Sequence, residues 1–178
     1  WDADTRTVWL LLTWNAGDDD EQRIIAGKSP TGRRVFVTYS NDLGETWSEP
    51  RDITEDVKSS GWTWYATGPG VGIELKGEKY RGRLVVPCDH ANAKTRKYHA
   101  HVIYSDDHGK TWRRGKPTAE GANECQVVEL TDGRVLLNWR NYNRQWKCRS
   151  ITYSDDGGES WSDFRYDEVL VEPICQAS

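Results

Sequence analysis

Hydrophobic positions along the chain gather in short runs of β-branched and aromatic residues. Gly, Pro, Asp and Asn separate the runs, and no amphipathic helical stretch of useful length interrupts them. Three of the runs, Val35-Phe36-Val37-Thr38-Tyr39, Val102-Ile103-Tyr104 and Ile151-Thr152-Tyr153, lead into the same punctuation. It reads S-x-D-x-G-x-[T/S]-W and occupies Ser40–Trp47, Ser105–Trp112 and Ser154–Trp161. These residue types predict a β-hairpin turn. The Asp carboxylate accepts backbone N–H groups, the Gly supplies positive φ, and the Trp re-enters the next strand and packs between sheets. Asp42, Gly44 and Trp47, then Asp107, Gly109 and Trp112, then Asp156, Gly158 and Trp161 fill these roles.

Around each copy the runs fall into a four-strand order, A to D. In the first unit A is missing, B is about Thr7–Trp14, C about Arg34–Tyr39, and D follows Trp47. The second has A at about Tyr65–Leu75, B at Arg83–Pro87, C at His99–Tyr104, and D from Trp112. The third has A at Cys125–Leu130, B at Arg134–Trp139, C at Cys148–Tyr153, and D after Trp161. Val171–Ser178 is expected to restart strand A of a fourth unit, because Cys175-Gln176 repeats Cys125-Gln126. Repeated four-stranded antiparallel sheets read as blades of a β-propeller, roughly 1–60, 61–120 and 121–170, with 171–178 opening the next. Three blades leave both flanking faces uncovered, so the chain is expected to be an internal fragment of a larger all-β protein.

Composition narrows the partners. The net charge of −4 gives no sign of a nucleic-acid partner, and Arg33-Arg34 and Arg113-Arg114 are expected to be solvated strand or turn residues. No apolar run reaches the length of a membrane span. Cys88, Cys125, Cys148 and Cys175 lie far apart without a CxxC pair, which argues against a zinc site and gives no support for a disulfide framework. The loops at Asp42, Asp107 and Asp156 are too short for an EF-hand. Ten Trp and eight Tyr against two Phe suit a carbohydrate-binding surface as well as turn and core filling. The compartment stays open.

The three turns resemble the Asp-boxes of sialidase-like propellers. Trp64-Tyr65-Ala66-Thr67-Gly68-Pro69-Gly70, Val86-Pro87-Cys88-Asp89-His90, Asn123-Glu124-Cys125-Gln126, Asn138-Trp139-Arg140-Asn141 and Glu172-Pro173-Ile174-Cys175-Gln176 are similar to stretches of exo-α-sialidases, in order and over essentially the whole chain. The resemblance implies a six-bladed propeller that removes terminal α-linked sialic acids from glycoproteins, glycolipids and oligosaccharides, with retention and without a metal or organic cofactor. It also implies an arginine triad, a Tyr nucleophile paired with a Glu, and an Asp acid/base. A tyrosine suits this substrate because the anomeric carbon already carries a carboxylate, which repels an anionic nucleophile.

By the same resemblance, Glu124 polarises the nucleophile and Arg140 is one of the triad, a planar fork that grips a carboxylate through two hydrogen bonds. If strand A runs down and B returns, both sit at one mouth and every Asp-box lies on the other face. Asp89 is expected at that mouth in either a substrate-hydroxyl contact or a structural role. Trp64 and Tyr65 are expected against the glycerol or N-acyl groups. Gln126 is expected to help order the site. His99, His101 and His108 are read as strand or turn residues. The nucleophilic Tyr, the acid/base Asp and two arginines match nothing within 1–178, so the isolated chain is expected to be inactive. Two other readings stand beside this one: a non-catalytic Asp-box propeller that binds glycans or proteins, and a trans-sialidase.

Overall fold

The computed structural model describes residues 1–176, and it is built from antiparallel sheets in the order the repeat predicts. The first sheet pairs β1 (Val8–Trp14) with β2 (Arg34–Ser40) and the two-residue β3 (Arg51–Asp52). The second runs β4 (Trp62–Thr67), β6 (Leu84–Asn92), β7 (Tyr98–Ser105) and β8 (Arg113–Arg114), with β5 (Ile73–Glu74) also on β6. In the third, β9 (Cys125–Glu129), β10 (Val135–Trp139), β11 (Cys148–Ser154) and β12 (Arg165–Val171) follow one another. Period-two alternation turns Val135, Leu137 and Trp139 inward, and with Val127, Val85 and Val102 they form the core between the second and third sheets. Val35, Val37, Tyr65, Cys88 and Ile103 form the matching core between the first and second.

Five elements depart from expectation. Strand A of the second unit begins three residues early, at Trp62, and breaks after Thr67. Pro69 offers no N–H to a ladder there, and the break separates β4 from β5. β6 continues through Cys88, Asp89 and His90 to Asn92, because β4 and β7 pair with that stretch from both sides. Two short helices, α1 (Glu21–Ile25) and α2 (Thr54–Val57), lie in connections. Asp20 caps α1 by accepting from the Arg23 N–H at 2.9 Å, and one turn of helix is too short to leave a periodic pattern. Finally, Val171 closes β12 rather than opening a new strand, and residues 172–176 are not strand. Ala177 and Ser178, which belong to that expected strand, lie outside the described residues.

The three Asp-box turns repeat one geometry. Ser40 donates to Asp42 Oδ1 at 2.7 Å, Thr46 N–H donates to the same oxygen at 2.9 Å, and Gly44 N–H donates to Ser40 Oγ at 2.8 Å. Ser105, Asp107, Gly109 and Thr111 reproduce these bonds, as do Ser154, Asp156, Gly158 and Ser160. Each turn places two successive residues at positive φ, with the Gly at +97°, +77° and +97°. The donors hold all three carboxylates below their usual range, and Asp42 reaches about 2. The tryptophans diverge. Trp112 is buried between sheets and Trp161 is half-buried, whereas Trp47 is exposed and folds back to donate to its own Gly44 carbonyl.

Candidate active site

The ladder of the third sheet fixes the first two functional side chains. Glu124 immediately precedes β9 and Arg140 immediately follows β10, and the Arg140 N–H donates to the Glu124 carbonyl at 2.9 Å. Their side chains therefore project from the same end of the sheet, where Arg140 Nη1 meets Glu124 Oε2 at 2.7 Å. The register pairs Trp139 with Ser150 and Val135 with Ser154, so the Asp-box of this sheet lies at its opposite end.

Both partners of the pair remain partly open, at 22% and 27% exposure, so a ligand can reach them. Burial works against the Arg140 cation. The hydrogen bond to Glu124 and the charges of Glu124 and Glu172 outweigh it, and the guanidinium holds its proton more firmly than usual. The Tyr142 ring lies 4.6 Å beneath that guanidinium.

Behind the pair, buried Arg149 and Glu172 meet at 3.4 Å, and Glu172 accepts the Asn141 N–H at 2.7 Å. This fixes the backbone that follows Arg140. Glu172 falls in one of the stretches that carry the resemblance but has no role assigned there, and Arg149, an Arg inside a strand, carries no pattern of its own.

Asp89 lies on β6, opposite Ala66 of β4 and Ala100 of β7. It is 1% exposed, and among the described residues neither carboxylate oxygen has a hydrogen-bond partner. Burial and the nearby Glu124 charge push its carboxyl well above the usual range, only partly opposed by Arg33. Arg33 corrects the expectation of a solvated basic residue, because it is half-buried and three groups fix it. It donates to the Tyr65 carbonyl at 3.1 Å, to Asn15 Oδ1 at 2.8 Å and to Thr13 Oγ1 at 3.0 Å, with its guanidinium 4.1 Å over the Trp64 ring. Across from it, Glu21 of α1 accepts from the Tyr98 hydroxyl at 2.7 Å. Arg34 does behave as expected, paired with Asp52 at the surface, and Arg113 and Arg114 are exposed.

Tyr65 is a further correction. It is fully buried and its hydroxyl meets His101 Nε2 at 3.0 Å, so it is a core residue without access to a ligand. The alternation of β4 sends Trp64 toward Arg33 and Tyr65 inward. Behind Tyr65, His101 Nδ1 lies 3.1 Å from His90 Nδ1, and Trp62 stacks on His90. Burial holds both histidines neutral, pulling His90 down to about 2 and His101 to about 3. Gln126 clamps the chain after Pro69, accepting the Val71 N–H and donating to its carbonyl, each at 2.8 Å. Its Oε1 sits where a Cβ on Gly70 would lie, which accounts for the glycine there. Among the described residues no cluster of His, Cys, Asp and Glu is placed to hold a metal, and no helix is long and apolar enough to cross a membrane. All four cysteines are free.

Residues 2–174 match the family described as the BNR repeat-like domain. Over 156 residues the chain is 41% identical to a sialidase of Micromonospora viridifaciens, which covers 85% of this chain and 24% of that protein. It is 36% identical to Sialidase-3 of Homo sapiens over 200 residues, covering 100% of this chain and 44% of the relative. It thus spans less than half of either. Among solved structures, the Hadza microbial sialidase Hz136 superposes with a TM-score of 0.83 at 30% identity, over 98% of this chain and 34% of that one. A leech intramolecular trans-sialidase gives 0.65 at 29% identity, over 78% and 20%.

Proposed function

Taking as premise that the chain belongs to the BNR repeat-like family of the sialidase, or Asp-box, superfamily, we propose that the protein carrying it is a retaining exo-α-sialidase acting on sialylated glycans. In this reading the sheets are three blades of a six-bladed propeller, roughly 1–60, 61–120 and 121–171, with the next blade starting beyond Val171. The Glu124–Arg140 pair at 2.7 Å carries the proposal, because it unites a carboxylate and a forked cation at a partly open rim. Arg140 grips the carboxylate of the sugar with donors that Glu124 does not occupy. Glu124 draws the proton of a tyrosine supplied by another part of the full-length protein, and the phenolate oxygen bonds to the anomeric carbon as the glycosidic C–O bond breaks, the aglycone leaving with a proton from the acid/base Asp of that protein. Trp64 lines the rest of the mouth, and Asp89, 1% exposed, takes the structural one of its two expected roles there.

In the full-length protein, Glu124→Gln is expected to lower kcat on a fluorogenic sialoside by about 100-fold or more while KM changes little. Unchanged hydrolysis would remove Glu124 from the mechanism, whereas a full-length protein that binds the sialoside without turnover would be a non-catalytic glycan-binding propeller. The isolated 178 residues are expected to show no turnover, and turnover would refute the externally supplied tyrosine. The likeness to the leech intramolecular trans-sialidase favours one second reading, transfer in place of hydrolysis. NMR of the released product separates free sialic acid from an anhydro or transferred sugar.

A further inference from the structure

We propose that Trp146 and Tyr166 form a second carbohydrate subsite beside the mouth, a stacked aromatic platform for the neutral hexopyranose to which the sialic acid is joined. The inference rests on the sialidase reading and extends it to the aglycone. The two rings stack with centroids 4.8 Å apart and planes 13° from parallel. Trp146 nevertheless stays 46% exposed, and Tyr166 is half-buried. Large aromatic rings left in water on a well-tethered loop are out of place as core filler, and that role is already filled by Trp139 at 3%.

The loop is built to hold them there. The Asn141 side chain donates to the carbonyls of Trp146 at 3.3 Å and Cys148 at 3.0 Å, and its Oδ1 accepts the Asn143 N–H at 2.8 Å. Trp146 N–H donates to the Asn143 carbonyl at 3.0 Å, and Asn143 Nδ2 donates to the Tyr166 hydroxyl at 3.3 Å. From below, Trp139 packs on Phe164 at 5.8 Å and Phe164 on Tyr166 edge-on at 5.7 Å, so the orientation of the platform is set by the core.

Its place ties it to the site. Asn141 follows Arg140 directly, and Tyr142 lies under the Arg140 guanidinium, so one loop carries the mouth at one end and the platform at the other. A hexopyranose offers an apolar C–H face to an aromatic plane and a rim of hydroxyls to Asn143 and the tyrosine hydroxyl. The platform rings and Asn143 are uncharged, which suits a neutral sugar rather than a second acidic one.

The test compares two substrates in the full-length protein, sialyllactose and methyl α-sialoside, and reads the ratio of their kcat/KM values. Trp146→Ala is expected to lower that ratio about tenfold, through KM for sialyllactose, and Trp146→Phe to restore most of it. A ratio within twofold of the unmodified protein in Trp146→Ala overturns the platform. Should that variant fail to fold, Trp146→Leu, which keeps the backbone bonds of Trp146 and the Asn143–Tyr166 bond, is judged by the same ratio. If the full-length protein hydrolyses neither sialoside, the sialidase reading has failed, and saturation-transfer NMR with methyl β-galactoside then judges the platform alone. Transfer that disappears in Trp146→Ala supports it, and transfer that is absent or unaltered overturns it.

Discussion

Asp89 occupies the environment least suited to its type, a buried carboxyl that no donor in the described chain satisfies. Its folded pKa lies above the ordinary value of 3.8, so between that value and the raised one the native state holds a proton that the unfolded chain has released. Stability contributed by this group is therefore full below about pH 4 and is lost as pH rises through the folded pKa. Asp89→Asn imitates the neutral acid. It should unfold at higher urea than the unmodified protein at pH 8, by about 1–3 kcal/mol, and at the same urea near pH 4. Equal midpoints at both pH values would mean that Asp89 finds a partner in solution. At this scale the sequence is informative where a motif and a strand end coincide, as at Glu124 and Arg140. It is silent at Arg33, which precedes a strand without any pattern around it. It misleads at Tyr65, because a strand beginning at Trp62 and not at Tyr65 leaves its facing undetermined until register is known.

The Asp-box turns show what a repeat reveals about an element and what it hides. Their internal bonds were readable from residue types, since Ser, Asp, Gly and Thr each have one role in the turn. Their seating was not, because it depends on the preceding sheet. A Cβ on Gly109 would lie 2.3 Å from Trp9 ring atoms, whereas one on Gly44 meets only Trp47, at 3.7 Å. Both glycines have positive φ, so alanine strains either backbone by about 1–2 kcal/mol. Gly109→Ala must also displace a packed indole, and its total loss should exceed about 3 kcal/mol. Chemical denaturation of the two variants checks the difference, and equal losses would show that Trp9 yields freely. The same dependence on neighbours explains the length of β6. Pro87 reads as a strand end by itself, yet β4 and β7 carry the ladder five residues further, to Asn92, and this puts Asp89 inside the strand.

Over the whole molecule, the expectation most open to test is that these sheets belong to a larger ring. β1 is an edge strand. Alternation turns Trp9 and Leu11 toward the second sheet and leaves Leu10, Leu12 and Trp14 at 41%, 38% and 46% exposure on the other face. A stable free surface avoids a row of large apolar side chains on one sheet face, whereas a seam between face-packed blades requires it. The 178-residue chain alone should therefore self-associate, and Leu10→Lys with Leu12→Glu should shift it toward monomer in light-scattering chromatography. In the full-length protein the same pair should lower the melting temperature, because there it would place charges in a buried seam. A monomeric chain together with an unaffected full-length protein would mean that this face is not a seam, and the blade reading of the first sheet would fall with it.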